Sequence, residues 1–141
     1  MSKYVETGGF SEYLYHDVGD IITASNGIQG KVINGPADPN DESFHESLPL
    51  YSNTSEVYFK KSDEGDHPIE QARVFNNRQP SIDIDWGHTH GEFKEGTVHV
   101  HEWVKKSDGT WKRKHPRYAN NEEIERYGEL LKKANPKIKL R

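Results

Sequence analysis

From Ser81 to Trp86, and again from Thr97 to Val104, the chain alternates residue by residue between apolar and polar: SIDIDW, then TVHVHEWV. Successive side chains of a strand point to opposite faces, so a period of two fits half-buried strands and excludes an amphipathic helix. Similar segments surround these two. SEVYFKK (55–61) and IEQARVF (69–75) flank the polar turn SDEGDH, and SDGT (107–110) turns the chain into WKRK (111–114). VGDIITASNGIQGKVIN (18–34) holds two apolar runs around Asn26-Gly27, a strong hairpin signal. The pattern predicts an antiparallel hairpin meander of about five to seven strands.

One segment has helical periodicity. Ile124, Tyr127, Leu130 and Leu131 form a stripe. Asn120 with Glu123 three positions on has the form of a capping box. Glu122, Glu123 and Glu125 suit the positive start of a helix dipole, Lys132 and Lys133 its negative end, and Asn135-Pro136 stops it. The expected fold is therefore α+β, one domain over 1–141. A twisted antiparallel sheet carries a helix at 120–134 on one face, followed by a basic tail at 136–141. Residues 35–54, rich in Pro, Asn, Asp and Ser without a period, read as a long irregular loop.

Only 31% of the 141 residues are hydrophobic and 30% are charged, against about 45–50% apolar in a typical domain, a count that includes Gly. The core must be small and aromatic. No cysteine is present, which removes thiolate ligands, thiolate nucleophiles and disulfides. No signal-like segment or membrane-length apolar run occurs, so a cytoplasmic chain without a membrane partner is expected. The net charge of −4 is unevenly placed: residues 105–141 hold 12 basic and 5 acidic residues (+7), leaving 7 basic and 18 acidic (−11) in residues 1–104. The basic C-terminal segment suits RNA or DNA, with Lys112, Arg113 and Arg117 as candidate phosphate contacts. The acidic body suits a host or immunity protein. Nucleotide-binding and serine-hydrolase motifs are missing.

The densest chemistry lies in DIDWGHTHGEFKEGTVHVHEW (83–103), where two H-x-H pairs follow two aspartates. If residues 82–90 pair with 97–104 across GEFKEG, His88 falls near His99, Trp86 near His101, and His88, His90, His99 and His101 converge. Ile82, Ile84, Trp86 and Trp103 would floor that face. Asp83 and Asp85 then have the opposite parity; either a bulge at Gly87 brings them onto the histidine face, or the strand ends near Trp86 and GHTHG is loop. Three readings stand open. Asp83, Asp85, His88, His99 and His101 bind a divalent ion such as Zn, Mn, Fe or Ni. Alternatively the histidines act as general acid and base, with Asp85 orienting an imidazole and Arg73 or Arg113 meeting phosphate. In the third, they are the wet face of a hairpin without chemistry.

LPLYSNTSEVYF, QARVFNNRQPSIDIDWGHTHG and VHVHEW together resemble a domain found at the C-termini of bacterial polymorphic toxins and in phage-associated proteins. The resemblance spans about residues 48–118 and rests on Arg73, Phe75, Asn76, Asp83, Ile84, Asp85, Trp86, His88, His99, His101 and Trp103. The sequence departs from that pattern at Val98, where a proline usually precedes H-x-H, and at Gln79-Pro80, where Gly is usual. The resemblance implies a phage or mobile-element origin and directs attention to the same histidine-rich stretch. The expected function is a nuclease-like, phosphodiester-processing domain of RNase-toxin type. The alternative is a non-catalytic accessory protein that binds a host partner through its acidic body.

Overall fold

A computed structural model describes residues 16–36, 44–45, 48–52, 57–61, 69–86 and 96–140. Ten strands and one helix follow in chain order: β1 (His16–Thr23), β2 (Gln29–Pro36), β3 (Phe44–His45), β4 (Leu48–Pro49), β5 (Val57–Lys61), β6 (Ile69–Asn76), β7 (Gln79–Asp85), β8 (His99–Lys105), β9 (Trp111–Arg113), β10 (Arg117–Tyr118) and α1 (Asn121–Ala134). Eight of the strands form one sheet in the order β1-β2-β5-β6-β7-β8-β10, with β9 also paired to β8. An α+β fold is thus observed: a mostly antiparallel sheet with a single C-terminal helix among the described residues.

Local chemistry explains two of the tight turns among the described residues. Gly27 has φ 90° in the β1–β2 turn. Asn77 and Arg78, at φ 53° and 67°, make the two-residue turn between β6 and β7. Positive φ at both central positions is the geometry whose twist matches that of the flanking strands. The meander is interrupted once. β2 and β5 run parallel, Gly30 opposite Val57 and Val32 opposite Phe59. A parallel pair needs a crossover rather than a tight turn, and the 20 residues between Pro36 and Val57 supply it. That connection, expected to be irregular, contains the two-stranded β3–β4 sheet.

The two sheet faces differ in character. One face carries Val32, Val57, Phe59, Ala72, Val74, Ile82, Ile84, Trp86 and Val100, which form a single apolar core with Leu130, Leu131 and Ala134 of α1. Asn120 caps the helix: its side chain accepts from the Glu123 N–H, and the Glu123 carboxylate accepts from the Asn120 N–H at 2.9 Å. The tail beyond α1 is anchored. Ile138 is buried in the same core, and Lys139 exchanges backbone hydrogen bonds with Gly96 and Val98. The opposite face is buried too, but it is polar: Lys31, Gln71, Arg73, Asp83, Asp85, His99 and His101. A small apolar cluster of Ile33, Leu48, Tyr58 and Phe75 lies beside them. Among the described residues no helix is long and apolar enough to cross a membrane.

Candidate metal centre

The histidine face is built by the β6–β7–β8 ladder. Asp83 lies opposite His101 and Asp85 opposite His99, while Arg73 of β6 lies opposite Asp83 and Gln71 opposite Asp85. The aspartates and histidines therefore share one face, and no register shift interrupts β7–β8. This overturns the expected pairing of residues 82–90 with 97–104, which put His88 opposite His99 and left the aspartates behind unless Gly87 bulged. The ladder instead stops at Asp85–His99, and the Gly96 N–H donates to the Trp86 carbonyl at 2.8 Å. Face assignment across a hairpin depends on which residues pair, and a one-residue change of register reverses it. Ile82, Ile84 and Trp86 accordingly lie on the helix side of the sheet, not under the histidines. Trp103, expected on the histidine face, is there. Gly87, His88 and His90 lie outside the described residues, as does any convergence of four imidazoles.

The side chains at the centre divide into two groups. Asp83 and Arg73, both fully buried, form a bidentate pair: Arg73 Nε to Asp83 Oδ1 at 2.6 Å and Nη2 to Oδ2 at 2.9 Å. Arg73 Nη1 donates to the carbonyls of Leu48 and Pro49 at 2.8 and 3.2 Å, and its guanidinium stacks 4.7 Å over the Trp103 ring. Gln71 Nε2 donates to Asp83 Oδ2 at 2.9 Å. Burial alone would raise the Asp83 carboxyl. The hydrogen bonds and charge of Arg73, with hydrogen bonds from Trp103 and Arg113, outweigh it and hold Asp83 below the ordinary carboxylate range. Arg73, read from sequence as a phosphate contact, is committed to the interior, and Asp83, read as a metal ligand, is committed to Arg73.

Asp85, His99 and His101 form the second group. Each offers a ligand atom, and the three atoms lie within 4.8 Å of one another. His101 Nδ1 is 2.8 Å from the Lys114 carbonyl, and His99 Nδ1 is 3.4 Å from that of Thr97. A carbonyl can only accept, so Nδ1 is the donor in these contacts, and a ring that is neutral then keeps its lone pair on Nε2. Both Nε2 atoms face Asp85 Oδ2, at 3.8 Å from His99 and 3.5 Å from His101. These separations exceed the usual 2.7–3.2 Å of an N–H···O hydrogen bond. Donors about 2.0–2.2 Å from a tetrahedral ion stand roughly 3.3–3.6 Å apart. Both imidazole–carboxylate separations are therefore close to the spacing of ligands around a shared cation, and backbone carbonyls orient both rings as a ligand's outer partners do.

Arg113 links the two groups, its Nη1 lying 3.0 Å from Asp83 Oδ2 and 3.3 Å from Asp85 Oδ2. Its side chain is 21% exposed and lines a cleft of about 780 Å³ together with His101, Lys112, Lys114, His115 and Arg117. The cleft opens where Lys114–Pro116 leaves the sheet between β9 and β10. Arg117 is already neutralised: Glu123 takes both its terminal nitrogens at 2.8 Å and Glu102 its Nε at 2.9 Å, which raises its pKa further. Of the sequence's basic candidates, Lys112 and Arg113 thus line the cleft, Arg113 while paired to Asp83 and Asp85. Gln71 and the Lys114 carbonyl are parts of this site that the sequence did not disclose. Pairs one strand away and backbone acceptors leave no local signature. No family model matches the chain, and no curated protein or solved structure shows significant similarity to it, so the chemistry of the centre rests on its own atoms.

Proposed function

We propose that the chain is a metal-dependent, nuclease-like domain that processes phosphodiesters, with Asp85, His99 and His101 as its centre. The observation that carries this reading is the convergence of two imidazole Nε2 atoms on one carboxylate oxygen, where His101 meets a cationic cleft. Lone pairs of two neutral rings facing an anionic oxygen repel one another, and a cation between them turns that repulsion into binding. One carboxylate and two imidazoles suit zinc, manganese, iron or nickel better than calcium or magnesium. A bound ion would supply Lewis-acid polarisation of a phosphoryl oxygen and a water of lowered pKa. Hydrolysis would add a water across one P–O ester bond, hydroxide going to phosphorus and the proton to the departing oxygen.

Arg113, Lys112 and Lys114 would hold the phosphate backbone at the cleft. Arg73 and Asp83 act as positioning residues, fixing the strands that present Asp85 and His101. The test is cleavage of RNA and DNA oligonucleotides by untagged protein, before and after chelation and re-addition of Mn²⁺ or Zn²⁺. Metal-restored cleavage that falls at least about a hundredfold in His99→Ala and His101→Ala is expected, as for loss of ion-binding groups. Cleavage that survives chelation, or is equal in those variants, would overturn the proposal.

A further inference from the structure

Four charged side chains meet at the centre, Asp83 and Asp85 against Arg73 and Arg113, and their formal charges cancel. A divalent ion on Asp85, His99 and His101 would leave this largely buried group with two excess positive charges. Low-dielectric surroundings make such an excess costly. Arg73 cannot leave to relieve it, being fully buried on Asp83, Leu48 and Pro49. Arg113 can. It sits at the end of the three-residue strand β9, its side chain is partly exposed, and its reach to Asp85 is the longer of its two contacts.

We propose that the Arg113 guanidinium stands in for the divalent cation against Asp85, and that metal binding turns it into the cleft as the binding group for a phosphodiester. The cleft into which it turns is lined by Lys112 and Lys114, and a planar guanidinium grips phosphate oxygens in a bidentate fashion. The anion restores the charge balance that the metal upset, so metal and phosphodiester bind cooperatively. This deepens the phosphodiester reading by naming the anion-binding residue and its coupling to the metal, and it rests on that reading for its choice of anion.

The experiment titrates Mn²⁺ and dimethyl phosphate, a minimal phosphodiester, separately and together, by calorimetry on the whole chain. In the wild-type protein each should tighten the other by about tenfold, the coupling being reciprocal. In Arg113→Gln, Mn²⁺ should bind at least about fivefold more tightly, because its competitor is gone, and the coupling should fall below about twofold. Lys132→Gln, an equal loss of charge at an exposed position of α1 on the other face of the sheet, should leave Mn²⁺ affinity unchanged. Independent binding of the two ligands to wild type overturns the proposal with no variant needed, as does unchanged or weaker Mn²⁺ binding by folded Arg113→Gln. These are binding readouts. Metal-dependent cleavage without coupling would sink the Arg113 proposal alone, and coupling without cleavage would sink the nuclease reading alone.

Discussion

Asp85 stands directly opposite His99 in the β7–β8 ladder, and Asp83 stands opposite His101 one step further along the same face. Two neighbouring aspartates thus receive different surroundings. Asp83 meets Arg73, Gln71 and Trp103, while Asp85 meets two imidazoles and the flank of Arg113. The first carboxylate is locked into the interior by its bidentate pair, and the second lies among two imidazoles and Arg113.

This division predicts opposite results for two isosteric substitutions. Asp83→Asn strands the Arg73 charge in the interior, and breaking such a buried pair costs about 3–5 kcal/mol. Asp85→Asn strands no buried charge, since Arg113 reaches solvent and keeps Asp83 at 3.0 Å, so its cost should be about 1 kcal/mol or less. Urea unfolding of metal-free protein measures both. Equal losses for the two variants would refute the assignment of structural and ligand roles.

Much of this fold was written in local pattern. The alternation of 81–86 and 97–104, the Asn26-Gly27 turn and the Asn120–Glu123 cap each depend on residues within a few positions, and each appears as a strand, turn or cap. What escaped was pairing at a distance. The face shared by Asp85 and His99 follows from where the β7–β8 ladder stops, and alternation within a strand carries no information about the partner's register. The interior course of Arg73 is a product of its cross-strand neighbour Asp83 and of carbonyls 24 and 25 residues away. Likewise the diversion of Arg117 onto Glu102 and Glu123 turns a seeming phosphate contact into the tie between the sheet edge and α1. The parallel β2–β5 pair was hidden for the same reason, since hairpin signals report only on adjacent strands.

That parallel pair supplies a second prediction. A methyl group added at Gly30 would fall inside the fully buried Phe59 ring, so glycine is required there by close packing across the β2–β5 seam. Gly30→Ala should cost about 1–3 kcal/mol through overpacking. Combined with Phe59→Leu, the loss should be smaller than the sum of the single losses, since contacting residues couple. Additive effects in a double-mutant cycle would show that the ring does not cover Gly30.

Acid should expose the tie between Arg117 and the helix. Burial on its own would raise the Glu123 carboxyl, but hydrogen bonds from Arg117 and the Asn120 backbone, with the Arg117 charge, bring it below its ordinary value. A depressed carboxyl contributes stability above its unfolded pKa, about 4.3, and loses it as pH falls through the lower native value. Asp83 is shifted in the same direction, so wild type should weaken progressively below about pH 4.5. Glu123→Gln can keep the capping geometry but not the charge, and should cost about 1 kcal/mol at pH 7. The gap between the two proteins should close by about pH 2, while the Asp83, Asp108 and Glu129 carboxyls, also lowered, titrate in both. A gap that is constant from pH 7 to pH 2 would mean that the Arg117–Glu123 charge pair adds nothing to stability.

Metal binding should be visible as stability even where no substrate is turned over. A ligand that binds only the folded chain stabilises it in proportion to the logarithm of its saturation, about 2.7 kcal/mol at a hundred times the dissociation constant. Mn²⁺ or Zn²⁺ should therefore raise the midpoint of thermal unfolding in wild type, and chelator should reverse the rise. Asp85→Asn, His99→Ala and His101→Ala should each abolish most of it, since each removes one of the three converging ligand atoms. The Asn120→Ala variant, about 1 kcal/mol less stable through loss of its cap, should retain the full metal-induced rise because α1 packs on the opposite face of the sheet from the histidines. A rise that persists in the three ligand variants would locate the ion elsewhere.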